Sequence, residues 1–143
     1  MTDTARQRLN EKIIQQFRSG GGRVGGQFAD TPLLLLTTLG ARTGVSRTWP
    51  LAYQQDGERV VVFAANGGRG TRPGWFHNLL ANPAATIEVG TESWPVTAQI
   101  VTGDERAELW QRQLVASPFL ADFQAKLDWE IPVVALTPAV TSA

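Results

Sequence analysis

The sequence predicts a mainly β (α+β) fold, an antiparallel sheet closed into a small barrel with flanking helices. Three observations carry this. Six short apolar runs alternate with turn signals. Two of the links, Asp56-Gly57 and Gly90-Thr91, are hairpin-like. Strands do not alternate regularly with helices, and no G-x-G-x-x-G is present, so a doubly wound dinucleotide fold fits poorly. With 143 residues, 43% hydrophobic and 18% charged, the chain suits a single domain over 1–143 with a real core. Residues 1–30 read as an N-terminal helix and a glycine-rich link, and 31–138 as the barrel.

Taken in order, Thr4 to Ser19 predict an amphipathic helix. Ala5, Leu9, Ile13 and Phe17 recur every four residues, Ile14 broadens the stripe, and Thr2 or Asp3 stands where a cap belongs. Gly20-Gly21-Gly22 ends it, and with Gly25-Gly26 reads as a flexible link. Leu33 to Leu39, between Pro32 and Gly40, is too short for a typical helix and predicts a buried strand. Thr48 to Gln55 predicts a second strand, which Pro50 confines to an edge or bulge. Valine-rich Arg59 to Ala65 predicts a third. Pro73 suits the first turn of a short helix that Asn82-Pro83 stops. Thr86 to Val89 and Trp94 to Val101 predict two more strands. Asp104 to Val115 predicts a helix capped by Thr102 or Asp104, Pro118 to Lys126 a shorter one, and Pro132 to Leu136 the last strand.

Composition narrows the chemistry. There is no cysteine and only one histidine, which removes thiolate chemistry and makes a histidine metal site a poor expectation. No run is apolar for the ~20 residues that span a bilayer. The first residues lack the apolar core of a signal peptide, and a cytoplasmic protein is expected, with membrane-surface contact through Arg6, Arg8 and Lys12 of the first helix as a weaker reading. Net charge is zero, yet residues 18–72 hold seven basic and three acidic residues, and 73–143 three basic and eight acidic. A neutral chain with its cations gathered around glycine-rich turns suits a local anionic ligand better than nucleic acid.

The candidate residues lie in three segments. Gly40-Ala41-Arg42-Thr43-Gly44-Val45-Ser46-Arg47 offers backbone amides, hydroxyls and guanidinium forks for a phosphate or carboxylate, though an ordinary turn accounts for it equally well. Asn66-Gly67-Gly68 lets a flat ring approach the backbone. Pro73 to Asn78 opens a helix, where free N–H groups favour negative charge. Taken singly, Trp75 is better read as core packing, His77 as a surface or structural residue and Tyr53 as structural, while Asn78 has a heterocycle edge or nearby backbone as its partner. With no nucleophile or metal motif, chemistry falls to a cofactor.

These motifs, with Arg47-Thr48-Trp49-Pro50-Leu51, Ala81-Asn82-Pro83 and Glu130-Ile131-Pro132-Val133-Val134-Ala135-Leu136-Thr137-Pro138, resemble the deazaflavin-dependent nitroreductase family of actinobacteria over about 32–138. The resemblance implies an FMN-binding-like split β-barrel and coenzyme F420, a deazaflavin with a phosphate and an oligoglutamate tail. It implies hydride transfer from the reduced deazaflavin to an electron-poor acceptor: an activated enone, a quinone or a nitro compound. By the same resemblance Ala41, Arg42, Thr43 and Arg47 hold the phosphate. Thr48, Trp49, Pro50, Leu51, Ala52, Phe63, Ala64, Ala65, Asn66, Gly74, Trp75, Phe76, His77 and Asn78 surround the ring system. Arg23, Arg69 and Arg72 are offered to the glutamates on charge alone. The family's usual Arg-Lys-Ser is Ala41-Arg42-Thr43 here, and its Ser-Lys before Gly-Gly is Ala65-Asn66. Ser117, Leu120 and Phe123 stand where nitroimidazole-reducing members carry tyrosines, so a greasy substrate pocket for a flat enone or quinone is expected. The alternatives are an FMN-dependent oxidoreductase of the same barrel type, a non-catalytic F420-binding protein, and a small nucleic-acid-binding barrel, which charge disfavours. A monomer is expected, with a dimer left open.

Overall fold

The computed structural model describes residues 3–25, 32–68 and 70–139. In chain order the elements are α1 (Asp3–Ser19), β1 (Leu33–Leu39), β2 (Ser46–Ala52), β3 (Gln54–Asp56), β4 (Arg59–Phe63), a 3-10 turn (Asn66–Gly68), α2 (Gly74–Ala81), β5 (Ala84–Val89), β6 (Glu92–Val101), α3 (Gly103–Ala116), α4 (Phe119–Ala125) and β7 (Val133–Pro138). The expected second strand, Thr48 to Gln55, is instead two: it breaks at Tyr53 into β2 and β3.

That break closes the barrel. All strand pairs are antiparallel, and the order β2-β1-β5-β6-β7-β4-β3 puts β2 and β3 at opposite edges of one seven-stranded sheet. Laid flat, those edges would stand about 29 Å apart, at roughly 4.8 Å per strand. The single residue between them spans at most about 7 Å from Ala52 to Gln54. The sheet must therefore curl until its edges meet at Tyr53, which is half-buried against the interior cluster. Pro50 lies on β2, where its missing N–H faces away from the pairing with β1.

Alternation along the strands sorts the apolar residues. Leu34, Leu36, Val60, Val62, Val134 and Leu136 fill the interior with Trp75, Phe76 and Leu79 of α2. Leu35 faces outward under Ile13 and Phe17 of α1, and Val61, Val133 and Ala135 lie under Leu109 of α3. Both faces of β1 are thus covered, which is why four leucines run consecutively there. Burying Trp75, Phe76 and Leu79 contributes about 2 kcal/mol each by area.

α1 is docked rather than loosely tethered. Phe17 is 1% exposed, and Arg18 grips Glu88 of β5 with two hydrogen bonds, 2.9 and 3.1 Å long. Gly20 to Gly22 form a tight turn, and Gly26 of the expected link lies outside the described residues. At Gly22, φ is +93°, and an added Cβ would sit 2.5 Å from the Gly90 Cα, so two bare backbones touch. Leu9 remains 39% exposed, so only the C-terminal half of the stripe packs. The capping expected from Thr2 or Asp3 and the charge of Arg6 lie outside the described side chains. On α3 the N-cap is Thr102, through geometry alone, with no side-chain hydrogen bond.

Candidate active site

One cleft of about 640 Å³ opens beside the barrel. Its floor and one wall are Trp49, Pro50, Leu51 and Ala52 of β2, with Phe63 and Ala65 from the end of β4. Asn66, Thr71, Arg72, Pro73, Gly74 and Trp75 lead from the 3-10 turn into α2. The opposite wall is Gln113, Ser117, Phe119, Leu120 and Phe123 of α3 and α4, and Gln7 of α1 reaches the rim. Trp75 is 3% exposed and belongs to the interior cluster while lining the cleft, so core packing and a pocket wall coincide in one residue.

Several contacts hold the shape. Asn66 adopts a left-handed backbone, φ 50°, and its Nδ2 donates to the Thr71 carbonyl at 2.8 Å, tying together two residues of the cleft lining. At Gly68, φ is +78° and a Cβ would lie 3.0 Å from the Phe123 ring, so the 3-10 turn and α4 meet because a side chain is missing there. The Phe119 and Phe123 rings meet edge to face at 5.3 Å. Arg72 lies 4.8 Å over the Trp129 ring, a cation–π contact that sets the guanidinium at the cleft edge.

Four of the described arginines are held by carboxylates. Arg18, Arg59, Arg106 and Arg112 are each engaged by carboxylates at 2.7–3.4 Å. The Glu88 and Asp56 carboxylates raise the Arg18 and Arg59 guanidinium pKa values, and Arg59 and Arg112 hold the Asp56 carboxyl below its ordinary range. Arg42, Arg47 and Arg72 form none of the ion pairs seen among the described residues, and Arg47 and Arg72 line the cleft.

The expected cofactor residues are therefore only partly brought together. Arg47, Trp49, Pro50, Leu51, Ala52, Phe63, Ala65, Asn66, Gly74 and Trp75 line the cleft, as do Ser117, Leu120 and Phe123. Ala41, Arg42 and Thr43 sit in the exposed turn beyond β1, outside the lining. Thr48 is outside it too, its hydroxyl 2.8 Å from that of Thr37. Ala64 is fully buried in the barrel. Asn78 does not face the cleft: its Oδ1 accepts the Ala41 N–H at 3.0 Å and its Nδ2 donates to Thr38 Oγ1 at 2.9 Å, fastening the 40–44 turn to α2. Phe76 and the exposed His77 border a separate hollow of about 340 Å³ with Arg106 and Glu130. Arg23 is exposed and outside the cleft lining, and Arg69 lies outside the described residues. Sequence reasoning missed Gln7, Thr71, Gln113 and Phe119. For Gln113 a signal existed, since it follows Leu109 by four residues on the inward stripe of α3, where a polar residue needs a reason.

The profile of the F420H(2)-dependent quinone reductase family matches residues 7–138. This chain belongs to that family. The F420H(2)-dependent quinone reductase Rv1261c of Mycobacterium tuberculosis is 38% identical over 135 residues, covering 91% of this chain and 88% of its own. Among solved structures, an F420-H2 dependent reductase, FDR-A, is 34% identical with a TM-score of 0.68, covering 73% of this chain and 93% of its own. Another, described as a domain-swapped dimer, is 32% identical with a TM-score of 0.70, covering 94% of this chain and 97% of its own. The fold is the split β-barrel, as the resemblance implied. Family membership brings coenzyme F420 as cofactor.

Proposed function

We propose that this family member reduces quinone-type acceptors with reduced F420 in the cleft between β2, α2 and the α3–α4 wall. The observation that carries the reading is the pairing of an apolar aromatic slot with Arg47 and Arg72, the two cleft arginines outside every ion pair described. The fit to F420 is chemical: Trp49, Pro50, Leu51 and Trp75 suit a flat tricyclic ring, and free guanidinium forks suit a phosphate and carboxylates. When bound and reduced, the coenzyme supplies a hydride as a two-electron carrier. The protein's own part is to hold two flat molecules in contact and keep water out. Trp49, Trp75 and Phe63 wall one side, and Leu120 and Phe123 offer the acceptor an apolar face. Asn78 acts at one remove, fixing the turn that presents Arg42 and Thr43 to the phosphate.

Anaerobic mixing of the protein with reduced F420 and menadione tests this, followed by the return of oxidised F420 absorbance. Rapid turnover, with no turnover when reduced FMN replaces F420, is expected. Binding of F420 without turnover of any quinone would leave a carrier and end the reading. Within the acceptor class, the Ser117–Leu120–Phe123 wall favours quinones and flat enones over nitroimidazoles. Peripheral membrane contact would use the exposed N-terminal half of α1, with Arg8, Leu9 and Lys12, because the Ile13–Phe17 face is already buried; vesicle flotation reads it. Among the described residues no helix is long and apolar enough to cross a membrane. Light scattering of the free protein decides between monomer and dimer.

A further inference from the structure

The α3–α4 wall is apolar except at two positions, Gln113 and Ser117, and these belong to a chain of hydrogen bonds with a fixed direction. Gln54 of β3, just past the corner that closes the barrel, starts it. Its Nε2 donates to the Leu109 carbonyl at 3.2 Å and to Gln113 Oε1 at 2.9 Å, so both amide protons are used. Gln113 Nε2 then donates to Ser117 Oγ at 3.3 Å. The amides cannot be reversed, because Gln54 Oε1 would then face the Leu109 carbonyl oxygen. The cost of this orientation is visible, since Gln54 Oε1 is buried with no hydrogen-bond partner among the described residues. Ser117 itself is anchored through its backbone N–H, which donates to the Gln113 carbonyl at 2.7 Å.

The direction has a consequence at the end of the chain. Ser117 Oγ already accepts a proton from Gln113, and its own O–H has no acceptor among the described residues while it lines the cleft. Hydrogen bonds in series polarise one another, so a hydroxyl that already accepts from such a chain is a better donor than an isolated one. On the reading of the cleft given above, we propose that Ser117, oriented by Gln113 and Gln54, donates a hydrogen bond to a carbonyl oxygen of the quinone and so selects carbonyl acceptors from flat hydrocarbons. When hydride adds to the quinone, negative charge gathers on its oxygens, and the fixed donor stabilises that charge more than the starting carbonyl. The balance is simple: quinone, one hydride and one proton give the hydroquinone. The proton comes from solvent, and Ser117 keeps its own.

Calorimetric titration with menadione and with 2-methylnaphthalene, its ring system without the oxygens, tests this with and without saturating F420. Infrared difference spectra follow the menadione carbonyl stretch. Ser117→Ala should weaken menadione binding by roughly five- to tenfold, the worth of one net hydrogen bond. It should leave 2-methylnaphthalene within about twofold and remove the downshift of the carbonyl stretch seen in the unaltered protein. Ser117→Thr should keep both. Gln113→Glu is nearly isosteric and still accepts from Gln54, but its carboxylate captures the Ser117 proton. It should therefore behave as Ser117→Ala although the serine is intact. Equal losses for both probes, an unchanged carbonyl stretch in Ser117→Ala, or a Gln113→Glu protein like the unaltered one would each overturn the proposal. A protein that discriminates the two probes through Ser117 yet does not bind F420 would instead overturn the preceding functional reading and leave this one standing.

Discussion

Arg47→Ala separates an anion-binding cleft from a merely cationic surface. Arg47 is exposed at the cleft and has none of the carboxylate partners that engage Arg18, Arg59, Arg106 and Arg112. A charge-assisted hydrogen bond to a phosphate contributes about 1.5–3 kcal/mol, and exposure puts Arg47 at the low end, so a loss of roughly tenfold in F420 affinity is expected at low salt. Screening shortens the reach of charge from ~30 Å at 0.01 M to ~3 Å at 1 M salt, so the loss should shrink to about two- to threefold in high salt. Quenching of the fluorescence of Trp49 and Trp75 reports binding from inside the cleft. Two controls fix the interpretation. Arg112→Ala removes a guanidinium already held by Asp56 and Glu108 and should leave affinity unchanged. The deazaflavin without its phosphate and tail should bind Arg47→Ala and the unaltered protein equally. If Arg112→Ala weakens F420 as much as Arg47→Ala, only general charge is at work and the placement of the tail is wrong.

Further outcomes follow from other contacts. Asn78→Ala strips the Ala41 N–H and the Thr38 hydroxyl of their partner at a buried position, and should cost about 1–3 kcal/mol in urea unfolding while weakening F420 through the loosened turn. Gly22→Ala drives a Cβ into the Gly90 backbone at positive φ, and should cost about 2 kcal/mol or more and release α1 to proteolysis. Leu36→Ala empties a fully buried interior site, with an expected loss of about 3 kcal/mol by thermal denaturation. The Asp56 pKa is lowered first by its hydrogen bond to Arg59, so its stabilisation is present above the unfolded carboxyl value, near 3.8, and is lost as pH falls through the folded value. Asp56→Asn should thus be less stable by about 1 kcal/mol at pH 7 and indistinguishable from the unaltered protein at the acid end of a pH series.

The elements themselves were legible where a local rule acts alone. The hairpins at Asp56-Gly57 and Gly90-Thr91, the leucine strand and the stop of α2 at Asn82-Pro83 all rest on near-neighbour chemistry, and all stand in the structure. The split at Tyr53 was not legible, because nothing local separates Thr48 to Gln55 into two strands. Only the distance between sheet edges demands a corner there. The tight turn at Gly22 was illegible for a related reason: its bare backbone meets Gly90, remote in sequence.

For the site, Trp49 to Ala52, Asn66, Gly74 and Trp75, all singled out by their motifs, line one cleft, because strand ends and helix starts gather on one side of a barrel. They could not tell that Asn78 turns inward to the 40–44 loop, that His77 faces another hollow, or that Gln54 reaches Gln113 across the fold. Sequence by itself determined which surfaces are apolar, where the chain turns and where positive charge collects, since these depend on side-chain type and short-range geometry. Only the tertiary structure decided which arginines are neutralised and which amide donates to the Ser117 hydroxyl, since a partner at hydrogen-bond distance can come from anywhere along the chain.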